Sequence, residues 1–225
     1  MEQKEDKKTG KVMHNLIILD ESGSMGSIRA QALSGANETI MTIRKAQEKM
    51  PDMKQMITFV TFDSHGDGKD VRTIFEDLPI NEVRNLTECD YEPNGCTPLY
   101  DAMGMSLSKL QSKVAGDDHA LVTIITDGME NDSHEYSGKA IKDIVALLRE
   151  KGWIFAYIGA NQDAVEVATD LNIDNAMNFE ATPDGTDKMF HEVNECCMCY
   201  MSDVYEDKEI KRGGFFRKKR KESFL

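Results

Sequence analysis

Five oxygen-bearing side chains in three separate segments have the types and spacing of a cation site. They are Asp20, Ser22 and Ser24 in the first segment, Thr97 in the second and Asp127 in the third. Alternate positions on an extended loop can aim their side chains at one point, and Gly23 lets the backbone bend between them. Two carboxylates and three hydroxyls, completed by water, suit a hard cation with octahedral oxygen coordination. The sequence therefore predicts a site for Mg²⁺ or Mn²⁺ rather than for zinc.

Two buried strands and one helix must bring these segments together. Residues 14–19 and residues 119–126 are short apolar runs that end at Asp20 and Asp127, which is typical of buried strands. Thr97 precedes Pro98, a residue that suits the first turn of a helix. In an open α/β sheet, the carboxyl ends of the strands and the N-termini of the helices meet at one edge. We therefore expect all three segments to converge at that edge.

Strands and helices alternate along the chain, which predicts the fold class. The predicted strands are residues 14–19, 56–62, 71–78, 119–126, 153–158 and 176–179, and the predicted helices are residues 27–50, 99–114, 141–148, 164–171 and 189–204. The second and third strands flank a polar turn, which favours a hairpin at an edge. We expect an α/β fold: a doubly wound, mostly parallel six-stranded sheet with one antiparallel edge strand, flanked by helices.

The three segments resemble the metal-ion-dependent adhesion site (MIDAS) of von Willebrand factor type A (vWA) domains, which have a Rossmann-like fold. The resemblance spans about residues 13–205 and rests on three motifs in order: Asp20-Glu21-Ser22-Gly23-Ser24-Met25, Gly95-Cys96-Thr97-Pro98-Leu99-Tyr100-Asp101 and Thr126-Asp127-Gly128. It implies that the three hydroxyls coordinate the metal and that the two carboxylates bind it directly or through water. An open coordination position would then accept an Asp or Glu of a partner protein. Cys96 departs from the Gly or other small residue that is frequent there, which affects the Thr97 loop without removing a ligand.

Charge divides the chain into three parts: a charged extension at residues 1–12, the predicted vWA domain at residues 13–205 and a basic tail at residues 206–225. The net charge is −13, but residues 211–225 carry seven Lys or Arg and one Glu, a net of +6 that leaves −19 for residues 1–210. The acidic body should repel nucleic acids. The run from Arg217 to Lys221 suits a solvated tail, the more usual case, or contact with nucleic acid or an anionic membrane.

Several features indicate a cytoplasmic protein. The sequence has no run of about 20 apolar residues that a membrane helix requires. Its first residues are charged and lack the hydrophobic segment of a secretory signal. The cysteines are odd in number, which fits reduced thiols rather than a disulfide framework: Cys89, Cys96, Cys196, Cys197 and Cys199.

Each motif also has an ordinary structural explanation. The first segment suits a polar turn followed by a helix cap at Ser27, Thr97 suits a plain N-cap, and Asp127 with Gly128 suits a turn. Cys196 and Cys199 fall inside the predicted last helix, where core or surface thiols are more common than a redox pair. The methionines are expected to fill the core, among them Met13, Met41, Met103, Met105 and Met189.

Two classes of function fit these residues. The first is a cation-dependent protein-binding module of the adhesion or scaffold type that is not an enzyme, since the oxygen set is complete and no catalytic constellation is found. The alternative is a metal-assisted hydrolase or phosphotransferase with Asp20 as nucleophile. That chemistry normally uses a second acidic residue two positions later, where this chain has Ser22. Nucleotide binding is disfavoured because the sequence lacks both common glycine-rich phosphate-binding motifs.

Overall fold

A computed structural model describes residues 10–64, 70–160 and 163–216. Within these ranges, one sheet has six strands: β1 (Lys11–Asp20), β2 (Met53–Phe62), β3 (Val71–Pro79), β4 (His119–Thr126), β5 (Ile154–Ala160) and β6 (Asn175–Phe179). The strand order is β3-β2-β1-β4-β5-β6, and β3 pairs antiparallel with β2 while the other pairs are parallel. The helices are α1 (Arg29–Lys49), α2 (Leu99–Gln111), α3 (Gly138–Glu150), α4 (Ala164–Asp170) and α5 (Pro183–Tyr205). The predicted fold class is confirmed.

Helices cover both faces of the sheet, and each face has its own core. α1 and α5 pack on one face, which Ile17 and Leu19 of β1 share, and α2, α3 and α4 pack on the other, which Leu16 and Ile18 share. Successive side chains of a strand point to opposite faces, so a strand that is covered on both sides is apolar at nearly every position. This arrangement explains why β1 and β4 could be found as continuous apolar runs.

The first two strands begin earlier than predicted. β1 begins at Lys11 and β2 at Met53, and these two residues pair in parallel register. A polar residue near the start of β2, Gln55, concealed where this strand begins. Gln55 is fully buried, and its Oε1 accepts a hydrogen bond from Asn15 Nδ2 at 3.1 Å. Buried amides are tolerated in a core when they have partners, and an apolar pattern cannot reveal them.

The sulfur-containing residues mostly follow the predictions. Cys196 and Cys199 lie inside α5, and burial raises the pKa of Cys196 to about 11, which disfavours the reactive thiolate. The core contains Met13, Met103 and Met189, and Met105 is half-buried. The prediction is wrong for Met41, which is 45% exposed on α1.

The two predicted ends of the domain differ from the structure where residues are described. Lys11 belongs to β1 although it was assigned to the charged extension, and Phe215 is buried in the core although it was assigned to the basic tail. The basic run from Arg217 to Lys221 lies outside the described residues, as do residues 1–9. Within the described part of the chain, no helix combines the length and apolar character needed to cross a bilayer.

Candidate metal centre

The first site loop leaves β1 at Asp20 and enters a short 3₁₀ helix, Gly23–Ile28, before α1 begins. Ser22 is extended, with φ −65° and ψ 163°, and its carbonyl accepts a hydrogen bond from the amide of Met25 at 3.0 Å. The predicted extended loop therefore ends at Ser22, and Ser24 lies in the 3₁₀ helix. The Oγ atoms of these two serines are 3.3 Å apart, so both hydroxyls reach the same place.

Asp20 is a fully buried carboxylate at the end of β1. Its Oδ1 accepts a hydrogen bond from the Ser22 amide at 2.7 Å, and its Oδ2 accepts one from Thr126 Oγ1 at 2.5 Å. Burial raises the pKa of Asp20 to about 6, an effect that the hydrogen bonds from Thr126 and Ser22 oppose and the nearby charge of Asp127 increases. The fold therefore holds this carboxylate where its charge has lost most of its solvation.

Asp127 follows the adjacent strand β4 and contacts the first loop directly. Ser24 Oγ donates a hydrogen bond to Asp127 Oδ1 at 2.6 Å, which joins the loops that follow β1 and β4. Burial also raises the pKa of Asp127, while the hydrogen bond from Ser24 lowers it. Two carboxylates and two serines of the predicted set thus form one connected group.

Gly128 marks the point at which the third segment joins the other two. A β-carbon added to Gly128 would lie 3.1 Å from Thr97 Oγ1 and 3.8 Å from both Asp20 Oδ2 and Ser24 Oγ. Oxygens from the first and second loops therefore surround one position beside Gly128 of the third loop, and any side chain there would fill it. Together with the contacts of Ser22 and Asp127 to Ser24, the structure brings all five predicted residues together at the carboxyl edge of the sheet.

The ordinary explanations as helix caps do not describe Ser27 and Thr97. The N-cap of α1 is Ile28, and the hydroxyl of Ser27 donates to the carbonyl of Ser24 at 3.3 Å. The N-cap of α2 is Pro98, and its side chain makes no hydrogen bond to the first turn of that helix. The Thr97 hydroxyl instead lies beside Gly128, near the same position as Asp20 Oδ2 and Ser24 Oγ.

Three residues that the sequence did not single out support the first loop. Glu21 is buried and accepts two hydrogen bonds from Arg72 Nη2, at 2.7 Å and 2.9 Å. The hydroxyl of Tyr91 donates to the carbonyl of Asp20 at 2.7 Å. These contacts link distant parts of the chain, and neither composition nor spacing gave a signal for them. They anchor the backbone on which Asp20 and Ser22 are placed.

The donor set fits a hard divalent cation. Within the described residues, no group of three or more His, Cys, Asp or Glu side chains is arranged to hold a metal, so hydroxyl oxygens must complete any set of ligands here. Hydroxyl and carboxylate oxygens are the ligands that Mg²⁺ and Mn²⁺ prefer. A divalent cation would also offset the buried negative charges of Asp20 and Asp127.

Comparison with known proteins supports the fold. No protein-family model matches the sequence, and no curated protein sequence matches it. A solved structure of the pilus adhesin SpaC from Lactobacillus rhamnosus GG, in its open conformation, matches with a TM-score of 0.64 and 10% identity, covering 88% of this chain and 30% of SpaC.

Two further solved structures carry the adhesion-site or vWA description. Proximal thread matrix protein 1 from the mussel byssus, with a zinc-occupied MIDAS motif, matches with a TM-score of 0.53 and 15% identity over 84% of this chain and 46% of that one. A von Willebrand factor type A protein from Catenulispora acidiphila matches with a TM-score of 0.52 and 14% identity over 84% of this chain and 43% of that one.

These likenesses show that the chain has a vWA-like fold. At identities of 10% to 15%, these matches show the fold of this chain but do not show which residues would bind a metal. The chain spans less than half the length of each of the three structures. The three are a pilus adhesin, a thread matrix protein and a von Willebrand factor type A protein.

Proposed function

We propose that this chain is a divalent-cation-dependent protein-binding module. Asp20, Ser22, Ser24, Thr97 and Asp127 hold Mg²⁺ or Mn²⁺, and an Asp or Glu side chain of a partner protein completes the coordination. The observation that carries the proposal is that oxygens of Asp20, Ser24 and Thr97 converge on one position beside Gly128, while Ser24 also binds Asp127. When bound, the cation offsets the charges of Asp20 and Asp127 and can accept one further carboxylate oxygen, since the other three protein ligands are neutral hydroxyls.

The charges around the site explain why a partner carboxylate would need the cation. The three site segments, residues 20–28, 92–101 and 127–137, contain eight Asp or Glu residues and no Lys or Arg; one of the eight, Glu21, is paired with Arg72. Without a cation, these segments repel an incoming carboxylate. A bound divalent ion provides the positive charge, so cation binding and partner binding are coupled.

Asp20 is better suited to holding an ion than to nucleophilic attack. The side chain is fully buried, and each of its oxygens accepts a hydrogen bond. The residue two positions later is Ser22, which cannot act as the acid or base that such an aspartate normally uses. The similar folds of SpaC, a pilus adhesin, and of the mussel thread matrix protein also favour adhesion or scaffolding over catalysis.

Calorimetric titration with Mn²⁺ and Mg²⁺ tests the site. Thr97→Val removes one hydroxyl at nearly constant volume, and Asp20→Asn removes one charge, so both should weaken binding at least about tenfold. The matched controls are Thr169→Val and Asp52→Asn, which change exposed residues on α4 and between α1 and β2 and should bind like wild type. Equal uptake by wild type and both site variants would show that the ion is not held here.

The partner is tested by affinity capture with the whole chain as bait. A true partner should be recovered with Mg²⁺, lost with chelator and lost when the bait carries Thr97→Val. Replacing the contacting Asp or Glu of that partner by Asn or Gln should also abolish binding, because a neutral amide binds a hard cation more weakly. Recovery of the same protein in chelator would contradict the cation-dependent mechanism.

A further inference from the structure

The loop that follows Asp127 and the start of α2 bind each other tightly. The N-cap of α2, Pro98, makes no side-chain capping bond, and side chains from residues 130–133 cap the helix instead. They accept hydrogen bonds from three backbone amides: Asn131 Oδ1 from Thr97 at 2.8 Å, Glu130 Oε2 from Tyr100 at 2.9 Å and Ser133 Oγ from Asp101 at 3.1 Å. Two of these amides, those of Tyr100 and Asp101, belong to the first turn of α2, so a segment about 30 residues away in sequence caps that turn.

Asp101 of α2 binds the same loop in the opposite direction, as an acceptor. Its buried carboxylate accepts hydrogen bonds from three successive backbone amides, those of His134 at 2.7 Å, Glu135 at 2.9 Å and Tyr136 at 2.7 Å. The ring of Tyr136 packs against Gly104, where an added β-carbon would lie 2.3 Å from it. The loop and the helix are thus joined by hydrogen bonds in both directions, and we name this unit the α2 clasp (residues 97–104 with residues 130–136).

Asn131 is the member of the α2 clasp that contacts a proposed ligand residue. Its side-chain Oδ1 accepts a hydrogen bond from the Thr97 backbone amide at 2.8 Å, and its backbone amide donates one to the Thr97 carbonyl at 3.2 Å. Both backbone polar groups of Thr97 therefore bind Asn131, and the Thr97 carbonyl also accepts from the Leu99 amide at 3.0 Å. Asn131 is only four residues after Asp127, so this contact sets the position of the Thr97 hydroxyl relative to the Asp127 carboxylate.

We propose that Asn131 is a positioning residue of the metal centre. By holding both backbone groups of Thr97, it fixes the separation between two proposed ligands from different loops, and so it determines how tightly the cation is bound. Asn131 itself stays outside the ligand set. This inference rests on the proposed cation site and extends it to a residue that contributes no ligand atom.

The experiment compares two asparagines whose side chains bind the backbone of a distant residue. Asn131→Ala removes one side-chain bond, the acceptor for the Thr97 amide, whereas Asn37→Ala, on α1, removes two side-chain bonds to the backbone of Leu86, at 2.7 Å and 3.1 Å. We expect Asn131→Ala to weaken Mn²⁺ binding about 10- to 100-fold, the usual effect of losing a residue that orients a metal ligand. Asn37→Ala should leave Mn²⁺ affinity unchanged even if both variants unfold at a lower temperature.

A second measurement needs no cation. In the wild-type protein without metal, the Thr97 amide should exchange slowly with solvent, and Asn131→Ala should make that exchange faster while Asn37→Ala should not. Unchanged Thr97 exchange, or equal loss of Mn²⁺ affinity in both variants, would overturn the positioning role. If Thr97 exchange responds as expected but wild type takes up no Mn²⁺, the α2 clasp stands, and both the proposed cation site and the role of Asn131 in it are overturned.

Discussion

Hydrogen bonds orient the proposed ligands before any ion arrives. Both carboxylate oxygens of Asp20 accept hydrogen bonds, and Ser24 donates to Asp127 at 2.6 Å. Side chains that are already ordered lose little further conformational entropy when they take up a ligand. The same burial raises the pKa of both carboxylates, so that ionising either of them costs more free energy here than in water. A divalent ion would relieve this electrostatic cost, which gives the proposed site its affinity.

Gly128→Ala should abolish the space for the ion without unfolding the domain. The new β-carbon would lie 3.1 Å from Thr97 Oγ1 and 3.8 Å from Asp20 Oδ2, where the cation is proposed to lie. Gly128 does not have a positive φ, so the backbone accepts alanine. Titration with Mn²⁺ should show an affinity at least about tenfold lower, while the thermal unfolding temperature changes little.

Gly26→Ala is the control for this substitution. Gly26 lies in the 3₁₀ helix of the first site loop, and a β-carbon there would meet no atom within 4 Å. The Gly26→Ala variant should therefore bind Mn²⁺ with wild-type affinity. Wild-type affinity in Gly128→Ala would show that the ion, if any is bound, does not occupy the position beside Gly128.

The five proposed ligands could be found from the sequence because they stand in short motifs at strand ends and a helix start. The supporting roles of Asn131, Asp101 and Glu21 could not be found in this way. Their contacts join segments that are 30 or more residues apart, and a polar residue in a loop has the same appearance whether or not it binds a distant backbone group. Only the three-dimensional structure shows which polar residues hold the ligands in place.

At the scale of helices and strands, apolar periodicity predicted the order and type of the elements correctly. It did not predict the 3₁₀ helix Gly23–Ile28, because six residues with two glycines carry no usable period. It also missed the close approach of α1 and α5, where a β-carbon on Gly35 would lie 2.1 Å from the ring of Phe190. Glycine inside a helix weakens a pattern-based prediction, although here it lets two helices pack closely.

At the scale of the whole molecule, segments beyond both predicted domain ends hold the fold together. Lys11 Nζ donates to the carbonyls of Val204 at 2.8 Å and Tyr205 at 3.1 Å, which satisfies the last turn of α5. Arg212 follows α5, and its carbonyl accepts a hydrogen bond at 2.9 Å from the buried side chain of Asn175, at the start of β6. The chain after Tyr205 is therefore fastened to the edge of the sheet opposite the proposed metal centre.

Phe215 tests whether this C-terminal segment belongs to the folded domain. Its amide donates to Asn175 Oδ1 at 3.0 Å, and its ring is 6% exposed and meets Tyr200 edge-on with centroids 6.4 Å apart. Removing a buried phenylalanine side chain leaves a cavity, so Phe215→Ala should lower the free energy of unfolding by about 3 kcal/mol, measured by urea denaturation. Phe216→Ala, at a half-buried neighbour, should cost less. If Phe215→Ala unfolded like wild type, the domain would end near residue 205 as the sequence predicts; a large loss would extend it to residue 216.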